Sequence, residues 1–307
     1  MDIHKIVIPA AGLGSRFLPY SKSVPKEMLP IFHKPLIQYA IEESIASNLY
    51  NFFIITNKSK KLLADYLDTA PDLEAILKER SQEQLLVSTD RLARLGSYAY
   101  IRQQEPQGLG HALLLMQSYI SKEHFCVALP DDLIVSPDPL LQQLIRIARQ
   151  EKACVLAVQE VPNSLLGENT VINIKKSISR ELFQVGSLSH QPTPKDAPSN
   201  LAVVGRYVLS PKIFPALEYL NTHLEGHELP LHAAISQMAQ DSERVFAYKF
   251  TGTCFHIDTP LNWLRALVAL GLQNPQYAQH ISEIINETRA TPTAWFNKRG
   301  STEIMDY

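Results

Sequence analysis

A glycine-containing loop lies just before two fixed cations near the start of the chain. The loop of residues 10–16 (AAGLGSR) follows a short apolar strand, and Lys26 follows Arg16 after a proline-rich stretch. Glycines let backbone N–H groups approach a phosphate closely. Fixed cations stabilise the negative charge that develops during phosphoryl or nucleotidyl transfer. Arg16 and Lys26 are therefore candidate catalytic residues beside a phosphate-binding loop.

Other interpretations of this loop and lysine remain open. The loop lacks the GxxxxGK[ST] pattern of a P-loop, and Phe17 stands where a dinucleotide fingerprint has its third glycine. An ordinary turn between a strand and a helix would also explain two glycines. A solvated surface lysine is the default interpretation of Lys26. The prolines at positions 19, 25 and 30 restrict its backbone, which favours a fixed role for its side chain.

Two carboxylates follow the apolar strand that ends at Leu129-Pro130. A carboxylate at the end of such a strand can hold Mg²⁺, which bridges phosphate oxygens and keeps several waters. Asp131 is the candidate ligand, and Asp132 is equally able by its chemistry. The alternative is that Asp131 caps the turn that follows.

A second small-residue stretch, residues 107–112 (QGLGHA), also follows a strand and opens a predicted helix. Its small residues would let a flat nucleobase lie on the backbone, and Gln103 at the strand end is placed to hydrogen-bond a base edge. His111 is better explained as a structural residue than as a catalytic base, because an ionised phosphate nucleophile needs no general base.

These stretches share a predicted position at the carboxyl ends of strands. The pattern predicts strands at 6–9, 52–56, 98–102, 125–129, 153–159, 170–174, 183–188, 201–209 and 245–250, and helices at about 35–45, 60–86, 111–120, 140–150, 214–222, 231–239, 260–272 and 277–288. Such alternation implies a mostly parallel sheet covered on both faces. Ligands bind at the carboxyl ends of the strands in such sheets. The stretches at 10–26, 103–111, 131–132 and 256–258 all fall there.

Composition narrows the function classes. The chain has 307 residues and a formal net charge of −2, which gives no sign of a nucleic-acid or membrane partner. Its three cysteines are far apart and without zinc-type spacing, as expected for reduced thiols in a cytoplasmic protein. The sequence contains no signal peptide and no apolar run of the roughly 20 residues that a membrane span needs.

Four stretches together resemble the bacterial UTP–glucose-1-phosphate uridylyltransferases, within the sugar-1-phosphate nucleotidyltransferase superfamily. They are AAGLGSRFLPYSKSVPKEMLPIFHKPLIQYAIEE, QGLGHA with its preceding glutamine, LPD and APSNLAVVGRYVL, in one order between Lys5 and Gly271. The resemblance implies an α/β, Rossmann-like nucleotidyltransferase fold with a mixed, mostly parallel central sheet flanked by helices. It also implies a small β-rich sugar-binding subregion and C-terminal helices. The implied reaction joins UTP and glucose 1-phosphate into UDP-glucose and pyrophosphate, with in-line attack on the α-phosphorus.

The resemblance also assigns roles to individual residues of the first half, in agreement with their chemistry. It implies nucleotide binding by Ala10, Ala11, Gly12, Gly14, Gln103 and Gly108, catalysis by Arg16 and Lys26, and Mg²⁺ binding by Asp131.

The second half departs from the family pattern. The family's Glu-Lys-Pro, whose Glu holds the glucose hydroxyls and whose Lys holds the sugar phosphate, corresponds to His190-Gln191-Pro192. A neutral amide in place of the lysine costs roughly 1.5–3 kcal/mol of phosphate binding, unless the nearby Lys195 compensates. Thr170 stands where the family has a glycine that approaches the sugar, and Pro230–Ala233 where it has Gln-Leu-Thr-Asp. We predict that Thr170, His190 and Gln191 bind the sugar phosphate.

The second metal carboxylate of the family has two possible counterparts. If the alignment with the family is anchored on Thr259-Pro260, His256 stands at the position of the family's Asp. If it is anchored on the acidic residue, Asp258 is the ligand. Asp258 is favoured because Mg²⁺ prefers oxygen donors.

The sequence thus predicts a uridylyltransferase with an intact nucleotide half and an altered sugar half. The alternatives are a catalytically impaired regulatory paralogue that binds UTP or a partner uridylyltransferase, and an enzyme for another sugar 1-phosphate or for dTTP. The predicted nucleotidyltransferase domain is 1–272, with a nucleotide half of about 1–135 and a sugar half of about 136–272. A C-terminal helical segment and tail, 273–307, follows. The family resemblance also implies a homodimer or homotetramer.

Overall fold

A computed structural model describes residues 1–120, 122–223, 228–241 and 243–290, with side chains to residue 288. Residues 291–307 of the predicted C-terminal tail lie outside the described residues. The chain divides into a first compact unit, Met1–His256, and a second unit that begins at Ile257. The predicted boundary at residue 272 stays a prediction.

The first unit alternates strands with helices along most of its length. Its strands are β1 (Lys5–Pro9), β2 (Pro30–Ile31), β3 (Lys34–Pro35), β4 (Asn51–Thr56), β5 (Ser97–Arg102), β6 (Phe125–Ala128), β7 (Asp132–Val135), β8 (Cys154–Glu160), β9 (Thr170–Ser177), β10 (Leu182–His190), β11 (Leu201–Leu209), β12 (Val245–Lys249) and β13 (Thr253–His256). Its α-helices are α1 (Leu36–Ala46), α2 (Lys61–Leu67), α3 (Pro71–Glu79), α4 (Glu83–Leu95), α5 (Gly108–Leu114), α6 (Leu140–Glu151), α7 (Ile213–His223) and α8 (Leu231–Gln240).

The described part of the second unit is helical. It contains α9 (Pro260–Gln273) and α10 (Ala278–Ala290). Helix α9 begins with Thr259 as its N-cap, because the Thr259 hydroxyl accepts a hydrogen bond from the Asn262 N–H at 3.2 Å. Pro260 occupies the first helical turn, where its missing N–H costs nothing.

Within the described residues, nine strands form one sheet in the order β5-β4-β1-β6-β11-β8-β12-β10-β9. The pairs β4–β5, β1–β4, β1–β6 and β8–β12 are parallel, and β10 and β11 run against the other seven strands. The predicted mixed sheet is therefore confirmed: seven of its nine strands run in one direction, although only four of its nine strand pairs are parallel. The predicted strand pair at 170–188 is the antiparallel hairpin β9–β10.

The sheet is buried on both faces, which explains why its central strands are apolar without polar alternation. On β1, Val7 packs into one core cluster while Ile6 and Ile8 pack into the other. On β6, the alternation continues, with Phe125 on the first face and Cys126 on the second. Helices α7 and α8 contribute to the first cluster, and α1 and α6 to the second.

Some element predictions differ from the structure. The helix predicted at 111–120 begins earlier and ends earlier, as α5, and the helix predicted at 60–86 is divided among α2, α3 and α4. The antiparallel pair β7–β13 was not predicted. Strand β7 starts at Asp132, with three residues between it and the end of β6, and it pairs with a segment more than 100 residues later in the sequence.

Phe125 tests the central packing of the sheet. Its side chain is fully buried and stacks on Phe214 of α7, with ring centroids 5.7 Å apart. We expect Phe125→Ala to lower the free energy of unfolding by about 3–5 kcal/mol, because it removes a large buried side chain and leaves a cavity. Denaturant unfolding measures this, with Val87→Ala on the exposed face of α4 as the control. A loss below about 1 kcal/mol would contradict this packing.

Candidate active site

The carboxyl ends of the parallel strands border a cleft of about 420 Å³. Strands β1, β4, β5 and β6 all end at this edge of the sheet. The segments that follow them therefore meet there, as predicted from their positions. The predicted site residues that line the cleft are Ala11, Gly12, Gly14, Lys26, Gln103, Gly108 and Asp131.

The glycine loop is held in place by hydrogen bonds from Ser21 and Asn57 to its carbonyls. Gly14 adopts a left-handed conformation with φ 67°, which favours glycine, and the Ser21 hydroxyl donates to its carbonyl at 2.7 Å. The Asn57 side-chain amide donates to the Ala11 carbonyl at 2.6 Å. A Cβ on Gly12 would meet no atom within 4 Å, so the space beside the loop is open to a ligand.

The remaining two predicted loop residues lie differently. Ala10 is buried, and its N–H donates to the Ile55 carbonyl at 2.7 Å. Arg16 is exposed on a short 3-10 helix, Ser15–Phe17, and does not belong to the described lining of the cleft. Their predicted roles stay predictions.

Lys26 forms an ion pair with Asp131 across the floor of the cleft. The Lys26 Nζ lies 2.6 Å from the Asp131 Oδ2, and both side chains are less than one-fifth exposed. Burial opposes the charge of Lys26, but the carboxylates of Asp131 and Glu27 outweigh it and raise the Lys26 pKa. Burial also opposes ionisation of Asp131, yet Lys26 and then His256 hold its pKa below the usual range. Both groups are therefore charged at neutral pH.

Behind Lys26 lies a second, fully buried ion pair. Lys60 donates to both carboxylate oxygens of Glu27 at 2.7 Å, and the two side chains are 4% and 1% exposed. Burial raises the pKa of Glu27 and lowers that of Lys60, and each charge opposes the shift of the other. Loss of one partner would leave an uncompensated buried group, which typically costs about 3–5 kcal/mol.

The turn that carries the two aspartates is fixed by Arg206 of β11. This arginine is 1% exposed, and its guanidinium donates to the carbonyls of Leu129, Gly205 and Asp132 at 2.9–3.0 Å. Its Nε donates to Glu43 at 2.9 Å, which pairs the buried charge. Asp132 is buried, and its Oδ2 accepts a 2.6 Å hydrogen bond from the Gly205 N–H. Asp131 is thus the carboxylate of the pair that faces the cleft.

Gln103 and the start of α5 form the other wall of the cleft. The Gln103 side-chain amide donates to the Gly108 carbonyl at 3.2 Å and lies 2.9 Å from His111 Nδ1. Burial lowers the pKa of His111. Gly108 has φ 84°, and a Cβ on Gly110 would lie 2.6 Å from the Leu229 carbonyl oxygen. Both positions therefore require glycine.

A second cleft of about 340 Å³ adjoins the first and shares Leu109, Leu129 and Glu228 with it. Thr170 and His190 line it, and the Thr170 hydroxyl lies 2.9 Å from His190 Nδ1. His190 stacks on His232, with ring centroids 4.5 Å apart. Burial, and then the neighbouring His190, lower the pKa of His232 to about 4, so His232 is neutral at pH 7.

Gln191 and Lys195 do not join this second cleft in the described chain. Gln191 is exposed with φ 48°, and its backbone N–H donates to the Asn169 carbonyl at 2.9 Å. Lys195 is exposed in the predicted surface loop of residues 192–200. Strand β10 ends at His190, and Gln191 follows it in a left-handed conformation, so the chain changes direction at this point.

The two candidates for the second metal ligand lie in different units. His256, at the end of β13, pairs with Asp132 on β7, and its Nδ1 lies 2.5 Å from the Asp132 Oδ1. Asp258 belongs to the second unit, where its carboxylate accepts a hydrogen bond from the Asn262 side chain at 2.8 Å. Among the residues that the structure describes, no group of three or more His, Cys, Asp or Glu side chains is arranged to hold a metal ion.

Several residues of the site could not be assigned from the sequence. Glu27, Asn57, Lys60 and His232 follow no motif that marks them as buried or paired. Arg206 does carry a signal in the sequence, because it is the one charged residue in the apolar strand LAVVGRYVL. A charge in a buried strand needs partners, and these are Glu43 and the backbone carbonyls of Leu129, Gly205 and Asp132.

Comparisons with known proteins agree with this geometry. The sequence profile of the nucleotidyl transferase family matches residues 5–295. The chain is 37% identical over 288 residues to a UTP–glucose-1-phosphate uridylyltransferase of Staphylococcus haemolyticus, which covers 93% of this chain and 98% of the relative. It is 38% identical over 274 residues to the uridylyltransferase of that name from Bacillus subtilis, covering 89% and 93%.

A solved structure is similar over nearly the whole fold. The UTP-bound UGPase of Acinetobacter baumannii superimposes with a TM-score of 0.85 at 33% identity, covering 93% of this chain and 99% of that one. The predicted fold class and family resemblance are confirmed.

Gly205 tests the packing of the aspartate turn. A Cβ at this position would lie 2.5 Å from the Leu129 Cβ and 2.7 Å from the Asp132 Oδ2. We expect Gly205→Ala to destabilise the fold by about 1–3 kcal/mol, because overpacking displaces the turn. Gly167→Ala is the control, since its Cβ would meet no atom within 4 Å, and we expect a change within about 0.5 kcal/mol. Equal effects in thermal or denaturant unfolding would contradict this geometry.

Proposed function

This chain belongs to the nucleotidyl transferase family, and we propose that it transfers the uridylyl group of UTP to glucose 1-phosphate, giving UDP-glucose and pyrophosphate. One observation carries the proposal. The glycine loop, the Lys26–Asp131 pair and the Gln103 wall border one cleft, beside a second cleft that can accept a sugar phosphate. The names of the relatives support the same substrates.

In this proposal, the first cleft holds UTP. The backbone of residues 11–14 cradles the triphosphate, because the open space at Gly12 allows close approach. Gln103 and Gly108 contact the uracil, and the fixed glycines of α5 leave room for a flat base. Ala10 supports the loop through its buried hydrogen bond to Ile55.

The reaction is a displacement at the α-phosphorus. A phosphate oxygen of glucose 1-phosphate forms the new bond to that phosphorus, the bond to the oxygen that bridges to the β-phosphate breaks, and pyrophosphate leaves with the electron pair. Negative charge increases around the phosphorus and the leaving group. Lys26 stabilises this charge from a partly buried position, where the interaction is stronger than in water, and Arg16 acts on the leaving phosphates.

The family generally uses a divalent metal, and we propose Mg²⁺ for this chain, held by Asp131. The donor set fits: Mg²⁺ prefers oxygen ligands and typically uses one or two carboxylates together with substrate phosphates and water. When bound, Mg²⁺ supplies positive charge to the phosphate oxygens. For a second ligand, Asp258 stays a proposal from the sequence pattern alone, favoured because Mg²⁺ prefers oxygen donors, and His256 is the competing candidate.

Glucose 1-phosphate occupies the second cleft in this proposal. Thr170 and His190, joined by their hydrogen bond, offer polar groups for the sugar or its phosphate, and the neutral His232 supports the His190 ring. Gln191 remains a proposed phosphate contact from the sequence pattern alone.

Two further aspects complete the proposal. Helix α9 exposes Leu261, Leu264 and Leu272, and we propose that a second copy of the chain covers them in a homodimer or homotetramer. We also propose a cytoplasmic location. Cys126, Cys154 and Cys254 are free thiols, and no helix in the described chain could cross a bilayer.

The activity is tested with purified protein, UTP, Mg²⁺ and glucose 1-phosphate, by following pyrophosphate release. Turnover of glucose 1-phosphate supports the proposal. UTP binding without turnover of glucose 1-phosphate or any related sugar phosphate would favour a regulatory paralogue. A preference for dTTP, or for another sugar 1-phosphate, would contradict the proposed substrates.

Lys26→Ala tests the proposed charge stabilisation. We expect kcat to fall about 10²–10³-fold, because the variant removes a fixed cation beside the reacting phosphates. Lys22→Ala, which removes an exposed lysine from the neighbouring 3-10 helix Tyr20–Lys22, should retain wild-type kcat. Near wild-type turnover by Lys26→Ala would refute the assignment, provided that its melting curve shows a folded protein.

The histidines test the acceptor cleft. We expect His190→Ala to raise KM for glucose 1-phosphate about three- to tenfold, the equivalent of one lost hydrogen bond, with KM for UTP within twofold. His232→Ala should act in the same direction, because it frees the His190 ring. Gln191→Lys tests the prediction that residue 191 contacts the sugar phosphate. A lower KM for the sugar phosphate would support that contact, and an unchanged KM would exclude it.

A further inference from the structure

The segment between β4 and α2, residues 57–60, contacts both sides of the nucleotide cleft. At one end, the Asn57 side-chain amide donates to the Ala11 carbonyl of the glycine loop at 2.6 Å. At the other end, the Lys60 ammonium donates to both carboxylate oxygens of Glu27 at 2.7 Å. Glu27 is the chain neighbour of Lys26. One four-residue segment therefore holds both the phosphate cradle and the backbone beside the catalytic cation.

The Lys60–Glu27 contact is buried and consists of two hydrogen bonds. The side chains are 4% and 1% exposed, so water cannot replace either partner. Glu27 lies in the 3-10 helix Lys26–Met28, and both of its oxygens are engaged. A shift of this helix would break two charge-assisted hydrogen bonds in a buried environment, where such bonds are strongest.

Asn57 is equally constrained. Its Oδ1 accepts hydrogen bonds from the Ser59 N–H at 2.9 Å and the Ser59 hydroxyl at 2.7 Å, and these contacts orient its amide group toward the Ala11 carbonyl. The Lys60 N–H donates to the Asn57 carbonyl at 3.2 Å, which ties the two ends of the segment together.

We propose that Asn57, Lys60 and Glu27 form a positioning clamp that sets the distance between the phosphate-binding loop and the ammonium of Lys26. This inference rests on the proposed function of that cleft. Lys26 is drawn toward Asp131 by their 2.6 Å ion pair. The clamp fixes the backbone from which Lys26 reaches that carboxylate, so that the ammonium also faces the loop. Glu27 borders the cleft and its carboxylate raises the Lys26 pKa, whereas Asn57 and Lys60 lie outside the cleft lining. The role proposed for all three residues is positioning, through Lys26 and Ala11.

The clamp differs from a purely structural ion pair in what it controls. A buried ion pair is often replaceable by apolar side chains of similar volume without loss of stability. The double variant Glu27→Met with Lys60→Met therefore separates the two roles, because it keeps the volume and removes the directional contact. A structural pair predicts recovered activity in the folded double variant, and the clamp predicts a folded protein with slow turnover.

The experiment measures melting temperature, UTP affinity by calorimetry, and kcat for the Glu27→Met/Lys60→Met double variant. We expect a melting temperature within a few degrees of the wild type, kcat at least tenfold lower, and UTP affinity within threefold. The control is Lys34→Met/Glu42→Met, which removes another ion pair with two 2.9 Å contacts at a more exposed position. It should retain wild-type kcat. A folded Glu27→Met/Lys60→Met protein with kcat within twofold of the wild type would overturn the proposal.

Asn57→Ala keeps the inference testable if the double variant does not fold. We expect it to weaken UTP binding about fivefold, because the loop loses the donor that holds the Ala11 carbonyl. Unchanged UTP affinity overturns this arm of the clamp.

These readouts also separate the clamp from the proposed function. Wild-type protein that releases no pyrophosphate contradicts the proposed reaction. The clamp is then decided by UTP affinity alone: a fivefold loss in Asn57→Ala supports it, and unchanged affinity refutes it.

Discussion

The ion pair between Lys26 and Asp131 is the interaction on which the site depends. It joins the first thirty residues to the end of β6, 105 positions later, at 2.6 Å. Such a contact exists only if the glycine loop, the proline-restricted stretch and the central strand are all correctly placed. The parallel strands β1 and β6 bring these segments to one edge of the sheet, and the covered faces of the sheet keep the edge in place.

Each partner of this ion pair is supported from behind by a buried charge. The Lys60–Glu27 pair lies beneath Lys26, and the Arg206–Glu43 pair lies beneath the aspartate turn. Neither ion pair adds much to the free energy of unfolding, because the cost of desolvating the two charges offsets most of their Coulomb attraction. Both pairs instead constrain geometry. A carboxylate or guanidinium that is hydrogen-bonded to fixed partners restricts the position of its backbone segment more than apolar packing does. Four of the five buried charged residues in the described part of the chain, namely Glu27, Lys60, Asp132 and Arg206, therefore lie behind this edge of the sheet.

The sequence was informative where function depends on local backbone chemistry. Short sequence motifs of glycines, prolines and strand ends were enough to identify the residues that border the cleft. These are the glycine loop, Lys26, Gln103, Gly108 and Asp131. The fold could be predicted for a similar reason, since apolar strands alternate with amphipathic helices. Lys60 and Glu27 could not be paired, because a lysine and a glutamate 33 positions apart look like two surface residues. His232 lay in a stretch that departs from the family pattern, but its stacking on His190 could not be predicted because it depends on where β10 ends and α8 begins.

The buried pair of Glu27 and Lys60 also constrains how the sequence of this protein can change over time. Loss of either charge leaves the other buried without water or a partner. A single substitution that removes one charge therefore destabilises the fold. A neutral pair is reached only through such an intermediate, or through two simultaneous changes. Positions 27 and 60 should therefore vary together among relatives, with both charges kept or both lost, and the coupling should appear as covariation rather than as separate conservation of each residue.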